Sequence, residues 1–411
     1  MALIIGMNSG SSFDGIDVIL AEITLGEDGF PTPPKFLKGG SYPWPKEIEK
    51  MVLPSFDNKV DMIGMTRLTY IAGAVMAESV RKFMKENNID AKDIEVLGVD
   101  GQTIYQEQPD HTKIQKMTEE EKDDWVYRWT SNAYPCGYQI GDTSVIAGLT
   151  NITTVTNFRQ ADHVWGGNAA PLMQYLDFIL FRERNEPTLS LNIGGIANVH
   201  LASKDRRRMV AFDTGPGNLL SDHAVRRLFG QVCDYDGIIA ASGKVDKEML
   251  EECMNHDFFK RPVPRSGWKY DFSEEYAYKM IEKYSHLKKE DIMATFCAFT
   301  AEAIVKSMQD YIPLEDLKKA KVMYASGGGV KNLTIMKFIQ EKLPYDIRLT
   351  SSDEIGIPPE YKEAVKFATL AYSTMNNIAD NIPAACHASQ YTILGKVSFA
   401  PWKGKNTEPL V

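Results

Sequence analysis

The chain has 411 residues, 44% hydrophobic, 25% charged and 10% aromatic, with a formal charge of −9. That length exceeds what one core comfortably carries, so two domains are expected, and the composition excludes collagen, coiled coil and a disordered chain. The acidic balance gives no electrostatic footprint for nucleic acid or an anionic membrane, and no apolar run is long enough to span a bilayer. Five cysteines are scattered without a CxxC pair, which points to reduced thiols rather than a zinc site or a disulfide framework. The apolar start Met1–Gly6 is too short for a signal peptide, and a cytoplasmic protein is expected.

Leu3–Met7 reads as a strand, followed by a Gly/Ser turn and a second strand built on Ile16, Val18 and Leu20. Strand-turn-strand is not the strand-turn-helix opening of a dinucleotide-binding unit. Residues 28–47 read as a loop with an edge strand, and Met62–Glu86 as a long amphipathic helix. A buried strand, Glu95–Asp100, leads into Gly101-Gln102-Thr103, and residues 109–135 read as a polar surface insertion. Asp142 is placed to cap a helix ending at Leu149, ahead of a strand Ile152–Val155. A polar passage, Asn157–Asn168, precedes a helix from about Ala170 to Phe181.

The second half starts again with strands: Leu189–Ile193, Ala197–Leu201 and Met209–Phe212. Helices follow near 217–229, 246–255, 273–285 and 289–309. A strand Lys321–Ala325, a helix from Asn332, a strand near Ile347 and a helix Glu360–Met375 close the fold. Both halves run from strands with glycine-rich tips to helices, a weak structural repeat.

Four glycine-rich turns carry the candidate chemistry. The first, Gly6–Gly15, contains Gly10, Ser11, Ser12, Asp14 and Gly15. The second, Asn192–Asn198, contains Gly194 and Gly195; the third is Asp213-Thr214-Gly215-Pro216-Gly217-Asn218. The fourth, Ser326–Asn332, contains Gly327, Gly328 and Gly329. Closely spaced N–H groups with no Cβ in the way suit phosphate oxygens, and Asp14 and Asp213 offer oxygen ligands to Mg²⁺. One such turn alone is an ordinary tight turn; four, each after an apolar strand, point to a shared phosphate cleft. Walker A and protein-kinase motifs are absent.

On these motifs the chain resembles the anhydro-N-acetylmuramic acid kinases and the related levoglucosan kinases, within the superfold of sugar kinases and actin. The segments that carry the resemblance span nearly the whole chain. They are Ser9–Asp17, Gly101–Thr103, Gln139–Asp142, Asn157–Asp162 with Gly166-Gly167 and Ala170–Leu172, Asn192–Asn198, Phe212–Asn218, Tyr235–Gly237, Gly327–Gly329 with Asn332, and Lys362–Phe367. The resemblance implies an α/β fold of two actin-like (ribonuclease H-like) lobes around an ATP cleft. The first lobe is expected at 1–165 plus about 376–411, and the second, with the adenosine region, at 166–375. It implies a kinase that transfers phosphate from ATP, with Mg²⁺, to the 6-oxygen of a 1,6-anhydro sugar while water opens the anhydro bridge. Asp162 matches the catalytic carboxylate, and Asp14 and Glu363 match the metal-associated acids. Gln102, Thr103, Arg159 and Gly167 fall on the sugar side. The glycine turns, with Asn198, Asp213, Thr214, Gly215, Asn218 and Asn332, fall on the nucleotide side. A homodimer is implied as well.

The sugar side departs from the family pattern. Asp100 stands for the usual His, and Asn157 for an Asp. Gly166-Gly-Asn168-Ala169-Ala-Pro171 replaces Gly-Gly-Gln-Gly-Ala-Pro, and Ser266-Gly-Trp268-Lys269 replaces Thr-Gly-Arg-Glu. Because Asp14, Asp162 and Glu363 are retained, an active enzyme of altered sugar specificity is expected, with a non-catalytic nucleotide or sugar sensor as the alternative. Trp165 and Trp268 either line a sugar ring or pack in the core.

Overall fold

The computed structural model describes residues 1–10, 13, 15–263, 265–267 and 270–401. Its strands, in chain order, are β1 (Ala2–Asn8), β2 (Ile16–Ile23), β3 (Lys35–Tyr42), β4 (Ile94–Val99), β5 (Gln102–Gln106), β6 (Gly137–Ile140), β7 (Thr154–Thr156), β8 (Thr188–Ile193), β9 (Ile196–Ala202), β10 (Val210–Pro216), β11 (Val322–Ser326), β12 (Arg348–Ser351) and β13 (Lys396–Ser398). The chain divides into two compact units, Met1–Leu180 with the segment from Glu363 onward, and Phe181–Lys362.

In the first unit the sheet order is β13-β7-β4-β1-β2-β3. Strands β1, β2 and β3 form an antiparallel meander; β4 then pairs parallel to β1, and β7 parallel to β4. In the second unit the order is β10-β9-β8-β11-β12. Here β8, β9 and β10 form the meander, β11 pairs parallel to β8, and β12 parallel to β11. The two sheets therefore repeat one plan: three meander strands, then two parallel strands added beside the first. This is the expected ribonuclease H-like lobe, present twice.

The elements follow from their local chemistry. The helix Met62–Asn87 starts where the Asp61 side chain accepts from Gly64 N–H, and stops where Asn88 turns left-handed. It buries Leu68, Ala72, Met76, Val80 and Phe83 on one stripe against the first sheet's core. In the second unit the helix Lys289–Tyr311 is buried from Ile292 to Ala301 without a break, so it is apolar on nearly every side.

Residues 109–135 are more structured than a polar insertion. They hold three short helices, His111–Lys116, Glu119–Asp123 and Trp125–Thr130, the second opened by a Thr118/Glu121 capping box. The insertion emerges from a separate two-stranded sheet, β5–β6. Arg128 folds back over the rings of Tyr134 and Trp165, 5.0 and 5.8 Å from their centroids.

One packing constraint organises the first unit. Gly6 of β1 and Gly98 of β4 are register partners. A Cβ on Gly6 would lie 2.0 Å from the Ala364 carbonyl oxygen, and one on Gly98 2.0 Å from that of Phe367. The helix Lys362–Met375 thus rests directly on sheet backbone, which only glycine permits. The unit boundaries fall at 180/181 and 362/363, against the expected 165/166 and 375/376, because of the contacts these segments make. Tyr175 bonds Ser373 at 2.9 Å, Phe178 meets Phe30 edge-on at 5.2 Å, and the helix from Glu363 onward covers β1 and β4.

All five cysteines are free. Among the described residues no helix is long and apolar enough to cross a membrane. Gly98→Ala is expected to lower stability by about 1–3 kcal/mol through overpacking, read as a drop in the urea midpoint with an unchanged slope.

Candidate active site

In the first unit, the sequence-predicted sugar residues are joined by one polar network. Ser9 Oγ, at the end of β1, donates to Gln102 Oε1 at 2.8 Å, and Trp44 Nε1 donates to Ser9 Oγ. Gln139 Nε2 on β6 donates to Thr103 Oγ1, to Gly101 O and to Asp100 Oδ1, at 3.0, 3.0 and 2.7 Å. Asp100 Oδ2 lies 3.9 Å from Arg159 Nη2, and Arg159 Nη1 donates to Ala169 O at 2.8 Å. Ala169 N–H in turn donates to Asp162 Oδ2 at 2.9 Å. Gln102, Thr103, Arg159 and Asp162 are thus linked side chain to side chain or through one residue's backbone.

Asp162 sits in the short helix Gln160–Val164 with no solvent exposure. Burial pushes its carboxyl above the ordinary range, opposed by hydrogen bonds from Asn381, Cys386 and Ala169 N–H. Asn381 Nδ2 and Cys386 Sγ both donate to Oδ1, at 2.9 and 3.1 Å. Gly167 closes over it: a Cβ there would lie 2.1 Å from Asp162 Oδ2. The neighbouring His163 is held neutral, its imidazole lowered to about 4 by burial and by the Arg159 charge.

Of the first glycine turn, Ser11, Ser12 and Asp14 lie outside the described residues. Gly10 has φ +66°, a left-handed position that glycine favours. Phe13 packs its ring on Trp44 at 4.8 Å, which anchors the turn. At Gly15 a Cβ would meet only Tyr42 O at 3.5 Å, so packing does not demand glycine there. Glu363 lies beside the end of β1, its Oε2 accepting from Asn8 Nδ2 at 3.0 Å. Asn8 Oδ1 is buried and has no hydrogen-bond partner among the described residues.

In the second unit the other three glycine turns come together. Gly217 N–H donates to Gly195 O and Asn218 N–H to Gly194 O, both at 2.8 Å. A Cβ on Gly217 would lie 2.1 Å from Gly194 O. Gly327, at φ +85°, leaves no room for a Cβ against Ile193 O and Asn192 Oδ1, and Gly329 none against Ile193 Cγ2. Much of this glycine content serves close approach of one turn to the next. Gly194, Gly217 and Gly327 spend their N–H groups on Ile196 O, Gly195 O and Pro359 O. The N–H groups of Gly195, Gly328 and Gly329 have no partner among the described residues.

Most of the remaining residues expected on the nucleotide side have structural partners. Thr214 Oγ1 donates to Ala197 O, Gly215 (φ +142°) sits at a register shift of β10, and Asn332 caps the helix Leu333–Lys342 through Ile335 N–H. Asn198 stands opposite Asp213 in the β9–β10 ladder, with its Oδ1 buried and unpartnered among the described residues. Asp213 accepts from Gly267 N–H at 2.7 Å, and burial pushes its carboxyl up to about 7. Trp268 and Lys269 lie outside the described residues, whereas Trp165 is half-buried under Arg128.

The family model described as anhydro-N-acetylmuramic acid kinase matches residues 2–120 and 122–400. The chain belongs to the anhydro-N-acetylmuramic acid kinase family. It is accordingly a sugar kinase. The protein of that name from Caldanaerobacter subterraneus subsp. tengcongensis is 35% identical over 97% of both chains. Those from Francisella tularensis subsp. novicida and Clostridioides difficile are 33% and 32% identical, over 96% and 98% of this chain and 98% and 99% of their own. Among solved structures, component A of the (R)-2-hydroxyglutaryl-CoA dehydratase of Acidaminococcus fermentans aligns at TM-score 0.44 and 12% identity, covering 91% of this chain and 98% of that one.

Against the anhydro-N-acetylmuramic acid kinase pattern, two departures now have a structural setting. Asp100, in place of His, is the carboxylate that Gln139 and Arg159 face. Ala169, in place of Gly, is held at φ +49°. Asn8, Gln139, Asn381 and Cys386 were not marked by sequence reasoning as site residues. Asn8 and Gln139 lie inside quoted motifs; Asn381 and Cys386 are more than 200 positions from Asp162, and no local pattern pointed to them.

Two outcomes follow. A left-handed alanine costs roughly 1–2 kcal/mol, of which glycine's extra chain entropy returns about half; Ala169→Gly should therefore raise the urea midpoint by about 1 kcal/mol equivalent. For Asp213, the folded carboxyl titrates near 7, above its unfolded value near 3.8, so the native state binds the extra proton between those limits. Its contribution is fully present below the unfolded value and is lost as pH rises through 7. Melting temperature recorded from pH 4 to 7 should fall less steeply in Asp213→Asn than in the parent.

Proposed function

We propose that this chain transfers the γ-phosphoryl group of ATP to the 6-oxygen of a 1,6-anhydro sugar of the N-acetylmuramic acid type, while water opens the anhydro bridge. The family match and the printed names of its relatives support the reaction class. The observation that carries the reading within this chain is the network from Ser9 through Gln102, Thr103, Gln139, Asp100 and Arg159 to the buried Asp162. Asp162 takes a proton from water, and the water oxygen bonds the anomeric carbon as the bond from that carbon to the 6-oxygen breaks. The freed 6-oxygen then attacks the γ-phosphorus and ADP leaves. A positioned base of this kind supplies about 10²–10⁴-fold of the rate.

Arg159, Gln102, Thr103 and the backbone at Gly167 are assigned to the sugar. Gly195, Gly328 and Gly329, whose N–H groups have no partner among the described residues, are assigned with Gly10, Ser11, Ser12 and Gly15 of the first turn to the nucleotide phosphates. Gly194, Gly215, Gly217, Gly327, Asn218 and Asn332 shape that surface, with Asn198, Asp213 and Thr214 alongside. Mg²⁺ fits the oxygen donors at the end of β1, where Asn8 Oδ1 has no partner among the described residues and lies beside the Glu363 carboxylate; Asp14 is assigned to the same ion. When bound, the ion offsets phosphate charge. A cytoplasmic homodimer belongs to the same proposal.

A second reading, altered sugar specificity of the levoglucosan-kinase kind, is favoured by Asp100. A carboxylate facing Arg159 neutralises the cation that an acidic sugar substituent would otherwise meet. The test is ADP release from purified protein with Mg-ATP and a panel of 1,6-anhydro sugars with and without the lactyl acid. Turnover on at least one sugar, reduced about 10²-fold or more in Asp162→Asn, is the expected outcome. Release no higher than that variant on every sugar would leave a non-catalytic sensor.

A further inference from the structure

The Asp162 carboxylate is held from a distant part of the chain. After the helix Lys362–Met375, the segment from Asn381 to Leu394 returns past the short helix Gln160–Val164 and supplies two donors to one oxygen. Asn381 Nδ2 and Cys386 Sγ both reach Oδ1, while Ala169 N–H reaches Oδ2. A carboxylate has about four acceptor positions. Oδ1 is filled twice and Oδ2 once among the described residues, so the unfilled acceptor position is on Oδ2, beneath Gly167.

The orientation of Asn381 is set independently. Its Oδ1 accepts from Thr392 N–H at 2.9 Å, and its Nδ2 also donates to Gln390 O at 3.0 Å. Those two contacts require oxygen toward Thr392 and nitrogen toward Asp162. Cys386 is fixed by its backbone, since its carbonyl accepts from Asn168 N–H at 2.8 Å. The loop is braced again where Asp380 Oδ1 accepts from Leu394 N–H at 2.7 Å.

Among the described residues no cation replaces these donors. Arg159, at the start of the Asp162 helix, turns to Ala169 O and Asp100. His163 titrates near 4, and His387, next to Cys386 and in ring contact with His111, is lowered by burial. His111 bonds Asn168 Oδ1. The Cys386 thiol is raised well above its ordinary value by burial, so it stays a neutral donor.

We propose that Asn381 and Cys386 are positioning residues that keep the Asp162 carboxylate ionised and present Oδ2 as its proton-accepting oxygen. This rests on Asp162 being the base of the proposed reaction. Donation from both side chains favours the charged form against the burial that disfavours it. Removing either donor moves Asp162 toward the protonated, inactive form and leaves its backbone position intact.

The test uses full-length protein. In the pH dependence of kcat/KM with Mg-ATP and the best anhydro sugar, Cys386→Ala and Asn381→Ala should each move the acid limb upward by about one pH unit. Cys386→Ser, which keeps a donor, should restore it. Carbon-13 NMR of labelled aspartate, assigned with Asp162→Asn, reads the same titration without turnover. An acid limb and an Asp162 titration that stay unmoved in both alanine variants, with only a lowered melting temperature, would overturn the positioning role. A shifted titration in a protein inactive on every sugar would support the positioning and sink the base assignment.

Discussion

The approach of the helix Lys362–Met375 to bare sheet backbone is the contact on which the first unit's candidate site depends. With no side chain at Gly6 or Gly98, helix carbonyls come within reach of where a Cβ would stand. That closeness sets the position of Glu363 against Asn8 at the mouth of the first turn. It also sets where the chain emerges at Met375, and hence where Asn381 and Cys386 can reach. Two missing methyl groups therefore position one acid directly and a second through the loop that follows. The constraint is steric, so salt and pH leave it unchanged, unlike the charges it arranges.

Those charges are costly where they lie. Asp162 and Asp213 are both carboxylates raised by desolvation, one in each unit, and both are met mainly by backbone N–H, amide and thiol donors. Arg265 does stand near Asp213, but its guanidinium bonds the Asp213 carbonyl and Ser307 and lies over the Phe258, Phe259 and Tyr311 rings. Neutral donors lower a carboxyl's proton affinity less than a close cation does, which leaves each group nearer to titration in the working range. A group that must accept a proton is better served by such partial support than by a full salt bridge.

Much of the fold was readable in chain order because its strands are short, apolar and closed by glycine or asparagine. The long helix expected at Met62–Glu86 is Met62–Asn87, and the Asp142 cap holds as expected, with Val145 N–H as its donor. The repeat was visible as strands then helices, but the shared strand order needed pairing information that no single strand carries. The insertion at 109–135 read only as a polar surface insertion because its helices are five or six residues long, too short for a periodicity. Resemblance to the family's motifs marked Asp162 and Arg159, whereas the partners of Asp162 come from the far end of the chain. A donor is recognisable by its geometry, and geometry between residues 162 and 386 has no local signature.

The glycine turns show how one composition can answer two physical demands. Their composition suggested arrays of free N–H donors, yet Gly194, Gly217 and Gly327 donate inside the second unit. Glycine at 217, 327 and 329 is required because a Cβ would strike a neighbouring turn, which is a demand for proximity. The donors left over, at Gly195, Gly328 and Gly329, come from two different turns and are brought together only by that proximity. The two sets meet only at Gly329: Gly217 and Gly327 serve close packing, whereas Gly195 and Gly328 keep N–H groups without a partner among the described residues. Substitution at the first kind would move the second, so loss of ligand binding at Gly217 would not make it a ligand contact.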